Sequence, residues 1–319
     1  VSTSGGSKAV AAALGANVAI AVAKFVAWGI SGSSSMLAEG VHSLADSGNQ
    51  VLLLVGGRKA QREADEEHPF GYGRERYIFG FLVSMVLFTI GGLFAVYEGV
   101  EKISHPHPLD DWYWPLGVLL FAVCAEGFSF RTAVGESRLA KGGQSWVGFI
   151  RTAKAPELPV VLFEDFGALI GLALALLGVV LSVVTHDGVW DGAGTLAIGV
   201  LLVGVAIVLA VETKSLLLGE AAAPTVVAGI RKSLVDGDLV TRVIHMRTLH
   251  LGPEELLVAA KIAVRPDATA VDIASAINKA EARVREAYPV ARVIYLEPDI
   301  YSVAEAAAGP DPEATPGGR

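Results

Sequence analysis

Between residues 36 and 57 an apolar stretch is interrupted by Glu39, His42, Asp46 and Asn49, spaced three and four residues apart. At about 100° per residue these four share one helix face. His42 and Asp46 are one turn apart, about 6 Å along the axis. An imidazole and a carboxylate at that spacing can hold one divalent cation together, or can hydrogen-bond a neighbouring helix. A second interruption is VVLFEDFG at 160–167, where Glu164 and Asp165 are adjacent. Adjacent side chains point about 100° apart, so both cannot aim equally well at one ion. A first-row cation takes about four ligands, so the two segments would have to pool theirs. Gly167 and Gly171 form a GxxxG that permits close helix approach.

These residues matter because of what surrounds them. The 319-residue chain is 52% hydrophobic and 18% charged, against roughly 25% charged in soluble domains. It reads as a multi-pass integral membrane protein with a lipid bilayer as its first partner. A charge at a helix centre in hydrocarbon costs roughly 2.5 to 3.5 kcal/mol, so the buried acids are functional candidates. Six windows reach the roughly 20 apolar residues a span needs, at about 9–30, 36–57, 77–101, 112–134, 158–184 and 190–213. Arg58, Lys59, Arg62, Arg74 and Arg76 follow the second window, and Arg138, Lys141, Arg151 and Lys154 follow the fourth. The opposite loops hold only Lys102. The positive-inside rule then puts both termini in the cytoplasm.

A net charge of −8 argues against nucleic acid as partner, because phosphate binding needs a basic surface. Cys124 is the single cysteine, which excludes an intrachain disulfide and a thiolate metal cluster. HExxH is absent and no nucleophile–base pair stands out, so no enzyme and no organic cofactor is expected. No cleavable signal peptide is visible, and Val1 in place of Met leaves room for residues upstream.

Beyond Gly219 the pattern changes. A helix over 224–235, strands over 240–251 and 256–264, a helix over 268–288 and a strand over 291–296 give the order α-β-β-α-β. The expected fold is therefore six transmembrane helices followed by a cytoplasmic ferredoxin-like α+β domain. The domains fall at 1–8 (cytoplasmic segment), 9–219 (transport domain), 220–303 (dimerisation domain) and 304–319 (disordered tail). His245 and His250, five apart on opposite strand faces, read as structural. His105 and His107 read as solvated loop residues, Asp191 as an N-cap, and Lys24 as needing a partner or a snorkelling route. Glu126, inside the fourth window, is expected to touch another helix or help solvate a pathway.

Two motifs carry a resemblance. SGSSSMLAEGVHSLAD at 31–46 and EHPFGYGR at 67–74 resemble signatures of the cation diffusion facilitator family, and the overall layout is similar over about residues 9–300. The resemblance implies a homodimeric antiporter that exports a divalent metal, zinc foremost, with manganese, iron, cobalt or cadmium as alternatives, against protons. It implies a transport site of His42 and Asp46 from the second span and Asp165 from the fifth. The remaining family ligand falls on Val161, leaving Glu164 or Asn49 to complete the shell. A second family site matches Asp65 and His68 but meets Tyr72 in place of its last His, and a C-terminal site meets Tyr295 and Glu297. The soluble domain is thus expected to dimerise rather than to sense metal. A metal-gated channel and a non-transporting partner subunit are the competing readings. The Ala/Gly/Val-rich composition fits a bacterial plasma membrane.

Overall fold

The computed structural model describes residues 3–106, 112–155, 157–235 and 237–301; the expected tail at 304–319 and His107 lie outside them. The chain divides into two compact units, Val1–Glu63 with Arg74–Ser215, and Ala64–Gly73 with Leu216–Arg319.

The first unit is helical. α1 (Thr3–Ser31) and α2 (Ser34–Lys59) are followed by α3 (Glu75–Val86), a π-helical segment (Leu87–Leu93) and α4 (Phe94–Ser104). Those last three run on as one 30-residue rod. α5 (Tyr113–Lys141), the short α6 (Trp146–Thr152), α7 (Glu157–Thr185) and α8 (Val189–Leu218) complete it. Glu75–Ser104, Tyr113–Arg138, Pro159–Thr185 and Val189–Leu218 are each long and apolar enough to cross a membrane, and Asn17–Ser31 is a shorter apolar stretch. At 1.5 Å per residue, helices of 26–30 residues exceed the roughly 30 Å hydrocarbon core. α2 falls short of that apolarity because Glu39, His42, Asp46 and Asn49 lie in its middle. The unit is therefore a helical membrane domain with four to six apolar helices.

Its core is aliphatic, with Met36, Leu87, Leu119, Leu172, Ile198 and Leu202 fully or almost fully buried. α4 and α8 cross at glycines. A Cβ on Gly99 would stand 2.5 Å from Leu196 N, and one on Gly199 would stand 2.6 Å from Val96 N, so the two backbones touch. The π-helical segment lies beside α2, where a Cβ on Gly91 would be 3.9 Å from His42 Nδ1. π-Turns inside α-helices gather at functional sites.

The second unit has α9 (Pro224–Leu234), β1 (Val240–Gly252), β2 (Glu255–Val264), α10 (Ala270–Ala287) and β3 (Val293–Asp299), in the expected order. Pro224 opens α9 at its first turn, where a missing N–H costs nothing. Thr269 and Asp272 form a capping box at the start of α10. The sheet order is β1-β2-β3, with β1 antiparallel and β3 parallel to β2. Alternation along β2 buries Leu256, Val258, Ala260 and Ile262 in one core with Ile230, Leu234 and Val284 of the two helices. His245 is exposed and His250 buried, as expected for positions on opposite faces.

Candidate metal site

α2 is fixed first at its N-terminus. Ser33 caps it by accepting from Met36 N. Asp191, near the start of α8, accepts from Ser33 Oγ at 2.9 Å, Ser34 N at 2.8 Å and Ser34 Oγ at 3.0 Å. Asp191 therefore does not N-cap its own helix, as the sequence suggests, but caps α2. A carboxylate at the positive end of a helix is stabilising, the more so when buried, and Asp191 is fully buried.

Descending α2, the polar face is divided among different helices. Glu39 accepts from Lys24 Nζ of α1 at 2.8 Å, and the same ammonium donates to Ser43 Oγ at 2.7 Å. This is the partner Lys24 needs. The other Glu39 oxygen faces α7, where a Cβ on Gly171 would lie 2.8 Å from it. One turn on, His42 Nε2 stands 3.4 Å from Asp46 Oδ2. Neither ring nitrogen of His42 makes a hydrogen bond, and neither does Asp46 Oδ1. A buried polar group left unbonded costs roughly 1 to 3 kcal/mol, so three such atoms side by side mark a place built for something other than packing. At the next turn Asn49 Nδ2 donates to Glu164 Oε1 at 2.7 Å.

From α7, Glu164 thus faces α2 while Asp165 turns to α5, accepting from Ser129 Oγ at 2.9 Å. The roughly 100° between neighbours sends the two acids to opposite walls. Between those walls is a cavity of about 40 Å³ lined by Asp46, Glu164 and Asp165 together with Glu126, Ser129 and Val161. A bare cation or a few waters fit such a volume. Of the five residues singled out by sequence, three line this cavity. His42 abuts Asp46, and Asn49 is tied to Glu164. Among the described residues no group of three or more His, Cys, Asp or Glu side chains is drawn together closely enough to hold an ion as it stands, since Glu164 and Asp165 are turned onto protein donors. Ser129 was not foreseen; its signal is a polar residue three positions after Glu126, one turn along an apolar helix.

The loop motif has its own geometry. Tyr72 Oη donates to Asp65 Oδ2 at 2.6 Å and His68 N donates to Asp65 Oδ1 at 2.7 Å. The tyrosine hydroxyl, followed by the His68 amide, holds the Asp65 carboxyl below the usual carboxylate range. The residue standing where the resemblance calls for a last His thus occupies one of the carboxylate's oxygens. In the sheet, Lys261 pairs with Glu297 at 3.3 Å and Asp299 at 2.8 Å, so Glu297 is engaged with a cation of the chain itself.

The sequence matches the Cation efflux transmembrane domain over residues 10–218. It is 32% identical to the human mitochondrial proton-coupled zinc antiporter SLC30A9 over 224 residues, 70% of this chain and 39% of that protein. It is 28% identical to metal tolerance protein C4 of Arabidopsis thaliana over 257 residues, 80% of this chain and 56% of that one. To magnetosome protein MamB of a Magnetospira species it is 27% identical over 188 residues, 57% of each. The chain spans about two fifths of the length of the SLC30A9 relatives it matches. With the matched domain covering well over half of its residues, the chain belongs to the cation efflux family, a family of transporters and not of enzymes.

Proposed function

We propose that this protein is a divalent-cation efflux transporter that exchanges its cargo, zinc foremost, for protons. The observation that carries the reading is the cluster of unbonded buried polar atoms, His42 Nδ1 and Nε2 and Asp46 Oδ1, beside a cavity walled by further carboxylates. The proton-coupled zinc antiporters among its relatives support it.

The chain crosses the bilayer six times, α2 being the one span whose polar face keeps it from reading as apolar, and both termini are cytoplasmic. It works as a homodimer, with the α+β unit as the dimerisation domain. The cation binds among His42, Asp46 and Asp165, with Glu164 or Asn49 completing the shell once released from their mutual hydrogen bond. A set rich in carboxylates with one imidazole suits zinc, and also manganese, iron or cobalt. Metal requires these ligands deprotonated, so loading releases protons and protonation expels metal. Rocking of the helices about this mid-membrane site carries one or the other across.

The test uses purified protein in liposomes with a pH-sensitive dye inside. Zinc addition is expected to drive proton flux in the wild type and not in Asp46→Ala or Asp165→Ala. Wild-type flux in either variant removes that residue from the site. Val161 in the cavity wall favours one further reading, a partner subunit inactive alone; transport by the purified chain on its own excludes it.

A further inference from the structure

We infer that Glu126 of α5 is a cargo-facing ligand of the same cavity, supplying coordination that α7 lacks at Val161. The inference rests on the transport reading above and extends it to a third helix.

Glu126 lies at the middle of the apolar stretch Tyr113–Arg138, about 20 Å from either end at 1.5 Å per residue. A carboxylate there is expensive unless paired. Among the described residues Glu126 has no hydrogen bond or ion pair, and it lines the cavity together with Asp46, Glu164, Asp165 and Val161. Its neighbours are committed elsewhere, Glu164 to Asn49 and Asp165 to Ser129. Glu126 and Asp46 are the cavity acids held by no hydrogen bond among the described residues, Asp46 meeting His42 at 3.4 Å.

Its height fits as well. The Asn49–Glu164 and Ser129–Asp165 bonds form one rung, because Glu164 and Asp165 are adjacent. Asp46 precedes Asn49 by three residues, and Glu126 precedes Ser129 by three. In a six-span order α2 and α5 are the second and fourth spans and run in the same sense. Both carboxylates therefore stand about 4.5 Å from that rung on the same side, and both line the cavity that holds the unbonded Asp46 Oδ1. Two carboxylates and the His42 imidazole, joined by one oxygen from α7, make the roughly four ligands a first-row cation takes. Val161 then costs the site nothing, since its ligand comes from the opposite wall.

The test is metal binding to the purified full-length chain, with zinc and with cadmium. Glu126→Gln keeps the shape and removes the charge. It is expected to lower affinity on the order of tenfold or more, the loss that even outer-shell partners produce, with Glu126→Asp recovering much of it. Glu126→Cys loaded with cadmium is expected to show sulfur-to-cadmium charge-transfer absorption. The wild type, whose single thiol is the exposed Cys124, is not. Unchanged affinity in Glu126→Gln, or no charge-transfer band in Glu126→Cys, overturns the assignment while leaving the transport reading intact. If wild-type protein binds neither metal, both fall together. Should Glu126→Gln not fold, the cadmium band alone decides.

Discussion

Lys24 and Glu39 divide the polar face of α2 into a structural part and a chemical part. Both are essentially inaccessible, so removing one partner strands a charge. Lys24→Met is expected to cost about 3 to 5 kcal/mol, and Lys24→Met with Glu39→Gln to recover most of it. Denaturant unfolding in detergent measures this, and a single variant as stable as wild type would show the pair to be dispensable. Outside the membrane, Tyr72→Phe removes the strongest of the bonds holding the Asp65 carboxyl low. Its pKa is expected to rise toward the ordinary 3.9 or so, read by NMR titration of the labelled side chain. The sign follows from the depressed value. The stabilisation from Asp65 is present above the unfolded pKa and is lost as pH falls through the lower folded one, so the loop is insensitive near neutrality. His42 and Asp46 stood out as candidates because ionisable types at helical spacing are conspicuous in apolar sequence, while Asp165 was separated from its neighbour Glu164 only by the family resemblance. The Lys24–Glu39 pair and the Ser129–Asp165 bond were not legible, because partners on different helices leave no trace in local spacing.

Helices and strands were legible where one periodicity persists. Five of the six apolar windows fall within helices that run on past them, as at 190–213 against Val189–Leu218, and the sixth, 112–134, starts one residue before α5, because backbone hydrogen bonding continues where apolarity stops. α6 was missed, since seven residues are too few to display a period. The π-helical segment was also invisible, its sequence LFTIGGL being as apolar as its flanks. Asp191 was read as serving its own helix, because the serines it caps on α2 lie more than 150 residues away. At the crossing of α4 and α8, a methyl at Gly99 would meet backbone rather than a yielding side chain. Gly99→Ala is therefore expected to destabilise by about 1 to 3 kcal/mol, measured by thermal unfolding in detergent. A neutral result would mean the two helices part at little cost.

For the whole molecule, the two units divide the work. The helical unit buries a few ionisable groups at a cost that packing alone does not justify. The α+β unit places charges in partly exposed pairs such as Lys261 with Glu297 and Asp299, which contribute little to stability. The central claim, exchange of metal for protons at Asp46 and its neighbours, is tested most directly by metal uptake into proteoliposomes under an imposed pH gradient. Uptake by the wild type is expected to rise when protons can flow the opposite way, and to vanish in Asp46→Ala. Uptake indifferent to the gradient, as a channel would give, or undiminished in Asp46→Ala, would contradict it.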